Sequence, residues 1–325
     1  MESRCPVTRS LKALGENALL RSLLSQLPSG PDVRTGPGDD CAVVAPPGSR
    51  EDWLLTTDAV VEGRHFPRRS ACAAAGVKPP WIGRKALARA FSDVAAMGGM
   101  PRYVLVNLVA SADTPVDFIL GMYRGMGALA AREHAGILGG DTTEGERLEL
   151  HVTVIGAIPR GRAILRSGAG VGDVIYVTGH LGGAWGNGAR KQYLFTPRLT
   201  EGRFLSAGRW ASAMMDLSDG LSIDLPRLLD ASRKGVELDL ARIPVASVLR
   251  GDSQAISRAC GDGEDFELLF CVPARKRAAF EAAWKAQRPR LASLHAIGHV
   301  LADPRVQNIP AGGWEHFHGK RAPRR

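Results

Sequence analysis

The chain has 325 residues, of which 45% are hydrophobic, so it is long enough for two domains with sizeable buried cores. Its formal charge of +9 fits anionic partners, and because no stripe of interleaved basic and aromatic residues marks a nucleic-acid surface, we expect small anionic ligands. The five cysteines include no C-x-x-C pair, which argues against a disulfide framework and against a zinc site. No apolar run reaches the ~18 residues of a membrane helix. We therefore expect a cytoplasmic protein without a membrane segment.

The first half of the chain alternates predicted helices and strands. Amphipathic spacing predicts helices at residues 9–27, 82–97 and 117–134. Short apolar or alternating runs predict strands at residues 41–45, 52–57, 103–109, 136–138 and 148–158. The sequence Pro159-Arg160-Gly161 interrupts this pattern and is our predicted domain boundary, which gives an N-terminal domain of residues 1–159 and a C-terminal domain of residues 160–325.

The second half mixes the same kinds of element. Predicted strands cover residues 174–178, 214–217, 236–240, 266–272 and 295–300. Predicted helices cover residues 201–211 and 274–286, and another begins at residue 221. Because strands and helices mix in both halves, the sequence predicts an α/β or mixed α+β class with two domains.

One pattern recurs along the chain: an apolar run typical of a strand ends, and an aspartate follows beside glycine or threonine. It occurs at residues 38–40, 56–58, 139–142 and 216–220, and Asp93 adds a carboxylate inside an apolar helix. Mg²⁺ prefers such oxygen ligands together with substrate phosphates, and glycine lets backbone N–H groups approach a phosphate. Taken alone, each pattern is typical of a turn. Together they predict a convergent metal site.

Other catalytic patterns are absent from the sequence. It has no G-x-x-x-x-G-K-[ST] loop, no G-x-S-x-G elbow and no H-E-x-x-H pair. His65 closely follows Asp58 along the chain and is therefore a candidate site residue, with a hydrogen-bonded loop histidine as the alternative. If ATP binds to this chain, it must use a site other than a Walker A loop.

Six segments together resemble the thiamine-monophosphate kinases, a family of the aminoimidazole-ribotide synthetase-like superfamily. They are GPGDDCAVV at 36–44, LLTTDAVVEGRHF at 54–66, ALARAFSDVAAMGGMP at 86–101, GILGGDTTEG at 136–145, MMDLSDGLSIDL at 214–225 and GEDFELLF at 263–270. The resemblance implies a two-domain aminoimidazole-ribotide synthetase-like fold and a homodimer. It also implies that the N-terminal domain binds ATP and Mg²⁺ and forms the dimer, while the C-terminal domain completes the ATP and substrate site.

The reaction implied by the resemblance is ATP-dependent phosphorylation of thiamine monophosphate to thiamine diphosphate, the last step of thiamine diphosphate biosynthesis. The γ-phosphoryl group would pass directly and in line to the acceptor, with several Mg²⁺ ions assisting. Positioning and charge neutralisation carry such a transfer, so scattered carboxylates and a fixed arginine suit it.

The resemblance also implies roles for individual residues. The implied metal ligands are Asp39, Thr56, Thr57, Asp58, Asp93, Asp141, Asp216 and Asp219. The implied ATP contacts are Tyr123, Gly140, Asp141, Arg166 and Ser218, among which Asp141 and Arg166 would be catalytic. The implied contacts to the thiamine part are His65, Glu264 and Trp314. One departure is Ala90, where the family commonly has asparagine, and it bears on substrate selectivity more than on the reaction class.

Three alternatives stay open on sequence alone. One is another ATP-using member of the superfamily, such as aminoimidazole-ribotide synthetase or selenophosphate synthetase. A selenophosphate synthetase would need a reactive cysteine near the N-terminus, and Cys5 lacks the glycine-rich context expected for it. Another is a non-catalytic nucleotide sensor, which would be expected to lose carboxylates, whereas this chain keeps them. The third is nucleic-acid binding, motivated by the positive charge.

Overall fold

The protein is described by a computed structural model that covers residues 10–185, 190–287 and 289–313. The first half forms a six-stranded sheet with its helices. Its strands are Val33–Thr35 (β1), Ala42–Val44 (β2), Glu51–Val61 (β3), Met100–Ala110 (β4), Gly136–Glu144 (β5) and Glu149–Pro159 (β6). Its helices are Leu11–Leu14 (α1), Glu16–Leu24 (α2), Arg69–Cys72 (α3), Pro79–Ala96 (α4) and Val116–Arg132 (α5). The strand order is β1-β2-β3-β6-β4-β5, and only the β4–β5 pair is parallel among the pairs of this described sheet.

The second half forms a five-stranded antiparallel sheet. Its strands are Val174–Thr178 (β7), Ala213–Asp216 (β8), Gly235–Leu238 (β9), Leu268–Val272 (β10) and Leu294–Leu301 (β11), and their order in the sheet is β8-β10-β7-β11-β9. The helices are Lys191–Leu194 (α6), Leu199–Ala207 (α7), Leu221–Ser232 (α8), Ala255–Gly261 (α9) and Arg277–Ala286 (α10). The predicted α/β, mixed α+β class is therefore confirmed.

Helix α4 is the central element of the first half. Two prolines at its start suit the first helical turn, where backbone N–H groups have no partner within the helix. Its residues Ile82, Leu87, Phe91 and Val94 are fully buried, and most of the other residues of the helix are buried as well. It packs against the six-stranded sheet, α5 and α7, and thus reaches elements from both halves of the chain.

The six-stranded sheet has one covered face and one exposed face. On β3, Leu54 and Val60 are buried on the inner face, which packs against α4, whereas Trp53 is 44% exposed. Tyr103 and Leu105 on β4 are also exposed. We call the side that carries Trp53, Tyr103 and Leu105 the outer face. Because side chains alternate along a strand, Thr56 and Asp58 belong to the inner face and Thr57 to the outer face.

Three details of the predicted secondary structure are wrong. The single helix expected at residues 9–27 is two helices, because the chain leaves the helical conformation at Gly15. Asp58 and Asp141 were expected to follow strands, but they lie inside β3 and β5. In β5, a Cβ atom on Gly140 would lie 1.8 Å from the carbonyl oxygen of Val106, so this glycine serves the close approach of two strands and does not mark a turn.

The connection between the two sheets is held at its start. The backbone N–H of Gly161 donates to Oδ2 of Asp52 at 2.7 Å, and the Asp52 side chain is buried at the beginning of β3. Gly161 is the last residue of the Pro159-Arg160-Gly161 sequence that was predicted as the domain boundary. None of the described helices is both long enough and apolar enough to span a membrane.

Candidate functional site

Three carboxylates from distant parts of the sequence converge between the two halves. Asp40 lies between β1 and β2, Asp93 lies on α4, and Asp216 ends β8. One oxygen of each lies within 4.8 Å of the others. We call these three residues the carboxylate group. Asp93 and Asp216 were expected as metal ligands, whereas Asp40 was not.

The carboxylate group is electrostatically unfavourable on its own. Burial, followed by the charge of Asp216, raises the pKa of Asp93 well above its ordinary value. Burial, followed by the charge of Asp40, raises the pKa of Asp216 to about 7. The Oδ2 atom of Asp40 is buried and has no hydrogen-bond partner among the described residues. Because Mg²⁺ prefers oxygen donors and would relieve this repulsion, the donor set fits a hard divalent cation.

Two hydroxyl groups orient two of these carboxylates. Thr56 Oγ1 donates to Oδ2 of Asp93 at 2.6 Å, and Ser92 Oγ donates to Oδ2 of Asp216 at the same distance. Ser92 is on α4 and Asp216 is on β8, so this bond joins the two halves. The predicted site residue Thr56 therefore lies at the carboxylate group, where its oxygen remains available as an acceptor.

Arg166 holds the aspartate pair of the GDD sequence. Its backbone N–H donates to Oδ2 of Asp39 at 3.0 Å, and its guanidinium donates to Oδ1 of Asp40 at 2.7 Å. Burial, followed by the charge of Asp40, raises the pKa of Asp39 to about 6. Arg166 and Asp39 thus lie beside the carboxylate group, and Arg166 supplies a fixed positive charge there.

A second charged network lies beside the first. The Arg89 guanidinium donates to both oxygens of Asp58 and to Oε1 of Glu264, and Lys85 Nζ lies 2.7 Å from Oε2 of Glu264. Burial alone would raise the pKa of Glu264, but Lys85 and Arg89 outweigh it and hold the pKa below its ordinary value. His65 joins the network because Lys85 donates to its carbonyl oxygen at 2.9 Å.

The loop after β8 carries Ser218 and Asp219. Asp219 is ion-paired with Arg227 at 2.6 Å, and the buried Asp224 accepts from the backbone N–H groups of Asp219 and Gly220. The carbonyl oxygen of Ser218 accepts from the backbone N–H of Glu264 at 2.7 Å. These bonds place the loop against the second network, but Asp219 is outside the carboxylate group.

Four predicted site residues lie apart from these contacts. Asp141 is exposed in β5, where Thr143 Oγ1 donates to it at 3.2 Å, and Thr57 is on the outer face. Gly140 on β5 and Asp58 on β3 lie in the same row across the sheet, with β6 and β4 between them. Three strand spacings therefore separate the two residues, which is ~14 Å at the usual spacing between strands. Tyr123 is half-buried on α5. Trp314 lies outside the described residues.

Comparisons with known proteins show which family this chain resembles along most of its length. The family descriptions "AIR synthase related protein, N-terminal domain" and "AIR synthase related protein, C-terminal domain" match residues 38–158 and 170–309. Thiamine-monophosphate kinase of Salmonella typhimurium is 35% identical over 294 residues, which cover 83% of this chain and 86% of that protein. The corresponding protein of Rhodopirellula baltica is 34% identical over 278 residues, which cover 82% and 83%.

This chain belongs to the thiamine-monophosphate kinase family. A solved structure of AaThiL complexed with AMPPCP and TMP superposes with a TM-score of 0.79 at 27% identity and covers 95% of this chain and 99% of that one. The expected two-domain fold of the superfamily is thereby confirmed. The assignment of this enzyme family to the chain is confirmed as well.

Four residues of this thiamine-monophosphate kinase family member take part in the site although the sequence assigned them no role: Asp40, Lys85, Arg89 and Asp224. Asp40 was part of the predicted pattern at residues 38–40, but the ligand role went to Asp39. Helical spacing could have indicated two of them, because Lys85, Arg89 and Asp93 follow one another at intervals of four residues and so share a face of α4. Asp40 adjoins Asp39, and only the backbone geometry decides which of the two points inward.

Proposed function

We propose that this chain transfers the γ-phosphoryl group of ATP to thiamine monophosphate and releases thiamine diphosphate and ADP, as the last step of thiamine diphosphate biosynthesis. The observation that carries the proposal is the carboxylate group, because its three carboxylates come from both halves of the chain and lie close enough together to hold a metal ion. The AaThiL structure with AMPPCP and TMP supports a nucleotide donor and this acceptor. The kinase relatives in two bacteria support the same reaction.

Asp40, Asp93 and Asp216 would hold Mg²⁺. Thr56, which donates to Asp93, and Asp39, which adjoins Asp40 and accepts from Arg166, would complete its surroundings. When bound, Mg²⁺ neutralises phosphate charge, which is the main requirement of phosphoryl transfer. Several ions would serve a triphosphate and a phosphate acceptor together. The orphaned Oδ2 atom of Asp40 and the raised pKa of Asp216 support a cation here.

The side chains around the carboxylate group fit a direct in-line transfer. The acceptor phosphate is a nucleophile at neutral pH, so the protein needs no covalent phospho-enzyme. Arg166 offers the ATP phosphates a positive charge, and Ser218 lies on the adjoining loop. His65 and Glu264, which meet at Lys85, would bind the thiamine part, as would Trp314.

A homodimer is part of the proposal, and the outer face supports it. Trp53, Tyr103, Leu105 and Leu138 are each at least 41% exposed on this sheet, which is unusual for large apolar side chains of one sheet in a monomer. Pairing through this face would also bring Asp141 and Thr57 to the interface. Sedimentation of the native chain at micromolar concentration should give twice the chain mass of 34.7 kDa, and Tyr103→Glu should shift it toward one mass.

We also propose that the chain acts in the cytoplasm. The described cysteines Cys41, Cys72, Cys260 and Cys271 are buried free thiols, which suits a reducing compartment.

The experiment that tests the function is a coupled assay of ADP release with Mg²⁺, in which thiamine monophosphate and thiamine are compared as acceptors. We expect release with thiamine monophosphate and only background release with thiamine. Asp93→Asn should lower the turnover at least ~100-fold, because it removes one charge from the carboxylate group. Asp113→Asn, at an exposed carboxylate, is the matched control and should keep native turnover. Native turnover in the Asp93 variant would contradict the assignment of the site.

A further inference from the structure

Asp58 differs from the carboxylate group because one guanidinium binds both of its oxygens. Arg89 Nε donates to Oδ2 at 2.6 Å, and Arg89 Nη2 donates to Oδ1 at 3.1 Å. The backbone N–H of Ala59 also donates to Oδ1, at 2.7 Å. This two-pronged contact between a guanidinium and a carboxylate is among the strongest that side chains form, and it leaves little negative charge for another cation.

Arg89 is itself held on three sides. Its Nη1 donates to Oε1 of Glu264 at 2.9 Å, and its guanidinium carbon lies 5.6 Å from the ring centre of Phe266. The Arg89 side chain is only 15% exposed. The guanidinium therefore joins β3, through Asp58, to the Glu264 segment of the second half.

The carboxylate group is compensated much less completely. The hydrogen bonds to Asp93 and Asp216 described above come from the hydroxyls of Thr56 and Ser92, which carry no charge. One oxygen of Asp40 is buried without a partner among the described residues. The Arg166 guanidinium contacts one oxygen of Asp40 and is the cation bonded to this group of three among the described residues. Neighbouring carboxylates in one site thus differ, since Asp58 has a guanidinium on both of its oxygens whereas three carboxylates share the single contact of Arg166.

We infer that Arg89 is a fixed counter-ion for Asp58, so that Asp58 joins the two halves of the chain and does not bind a divalent cation. This inference rests on the proposed function only in taking Asp40, Asp93 and Asp216 as the cation site. It removes Asp58 from the ligands that the family resemblance implied. It also gives Arg89 a positioning role, because Arg89 fixes Glu264 relative to β3.

A divalent cation is unfavourable at Asp58 because it would leave the Arg89 guanidinium without its carboxylate partner. A divalent cation on Asp58 would displace the guanidinium into a buried position beside Lys85, and both cations would then share the single carboxylate of Glu264. An unpaired buried charge is strongly unfavourable. At the carboxylate group, by contrast, a cation removes repulsion between like charges.

Counting bound metal ions tests the inference directly. The full-length chain is titrated with Mn²⁺ alone, and the free ion is measured by electron paramagnetic resonance. Asp58→Asn should bind the same number of ions as the native chain, with dissociation constants within about twofold, whereas Asp93→Asn should bind fewer. Loss of an ion in the Asp58 variant would overturn the inference. Because no nucleotide or acceptor is present, this result is independent of the kinase assay.

Arg89→Met supplies the reverse test, because it frees Asp58 while Glu264 keeps Lys85. We expect this variant to bind one Mn²⁺ more than the native chain, and the double variant with Asp58→Asn to lose that extra ion. An unchanged count in folded Arg89→Met would overturn the inference. If this variant does not fold, the comparison of the two aspartate variants decides alone. An unchanged count in Asp93→Asn would count against the proposed cation site and leave the Asp58 comparison intact.

Discussion

At the scale of single residues, His65 shows how burial sets a protonation state. Its Nδ1 accepts from the backbone N–H of Val61 at 3.0 Å, so the neutral ring carries its proton on Nε2. Burial, followed by the positive charge of Arg89, lowers the pKa of His65 to about 4. His65 is therefore a neutral imidazole whose Nε2–H group can donate to a ligand in the site that we propose.

We predict that His65 stays neutral between pH 8 and about pH 5. Nitrogen NMR of the imidazole, assigned by loss of the signal in His65→Gln, should show the Nε2–H tautomer over this whole range. Because the charged ring is disfavoured in the folded state, its contribution to stability is present above pH 6.5 and is lost as the pH falls toward about 4. A protonation midpoint near 6.5 would contradict this prediction.

Residue-level reasoning from the sequence found most of the site but not its pairing. Asp93, Asp216 and Thr56 were expected at the metal site and lie together in the structure. The sequence could not show that Arg89 neutralises Asp58, because ion pairs between residues 31 positions apart depend on how α4 packs on β3. The sequence likewise could not show that Asp40, and not Asp39, belongs to the carboxylate group, because this depends on the backbone of the loop between β1 and β2.

At the scale of elements, the contact between α4 and α5 depends on two glycines. A Cβ atom on Gly83 would lie 1.9 Å from the carbonyl oxygen of Met122, and one on Gly125 would lie 1.8 Å from that of Pro80. Each helix thus presents a glycine to the backbone of the other, so the axes approach more closely than larger residues would allow. This contact fixes the position of α4, which carries Lys85, Arg89 and Asp93.

Gly125→Ala should therefore destabilise the protein by about 3 kcal/mol, because the methyl group would force the two helices apart. Gly127→Ala is the matched control on the same helix, since a Cβ atom there would meet nothing within 4 Å. It should stabilise the protein by up to about 1 kcal/mol through helix propensity. Urea unfolding at equal m values measures both changes. Equal midpoints for the two variants would show that the helices can separate without cost.

Element-level prediction from the sequence succeeded where the apolar pattern was long. The strand at residues 174–178 was predicted with its observed bounds, and α4 and α5 were predicted to within a few residues. The Gly-Asp segment of β5 was wrongly taken for the end of a strand, because glycine usually weakens strands. The parallel pairing of β4 with β5 explains the difference, since it needs a residue without a side chain at Gly140.

At the scale of the whole molecule, the carboxylate group couples the two halves of the chain. Asp93 comes from the first half and Asp216 from the second, and their charges repel. The hydrogen bond from Ser92 to Asp216 opposes this repulsion across the same boundary. Without a metal ion, the joint between the halves is therefore weakest when both carboxylates are ionised, and a divalent cation should strengthen it.

This coupling predicts how stability depends on pH. The pKa of Asp216 is 3.8 as an ordinary aspartate and about 7 in the folded protein, so between these pH values the folded state holds a proton that the unfolded state has lost. The free energy of unfolding of the metal-free protein should therefore fall as pH rises from about 4 to about 7, as far as Asp216 contributes. Other carboxylates can act in the opposite direction, so the contribution is the difference between the native chain and Asp216→Asn.

Thermal unfolding measured from pH 5 to pH 8, in EDTA or in Mg²⁺, checks the prediction. In EDTA, Asp216→Asn should gain stability over the native chain as the pH rises toward 7, because it lacks the growing charge repulsion. In Mg²⁺ the native chain should recover that loss, whereas the variant should respond less, since it offers the ion one charge fewer. A constant difference between the two proteins in EDTA at all pH values would show that Asp216 is already ionised at pH 5 and that the halves are not joined through its protonation.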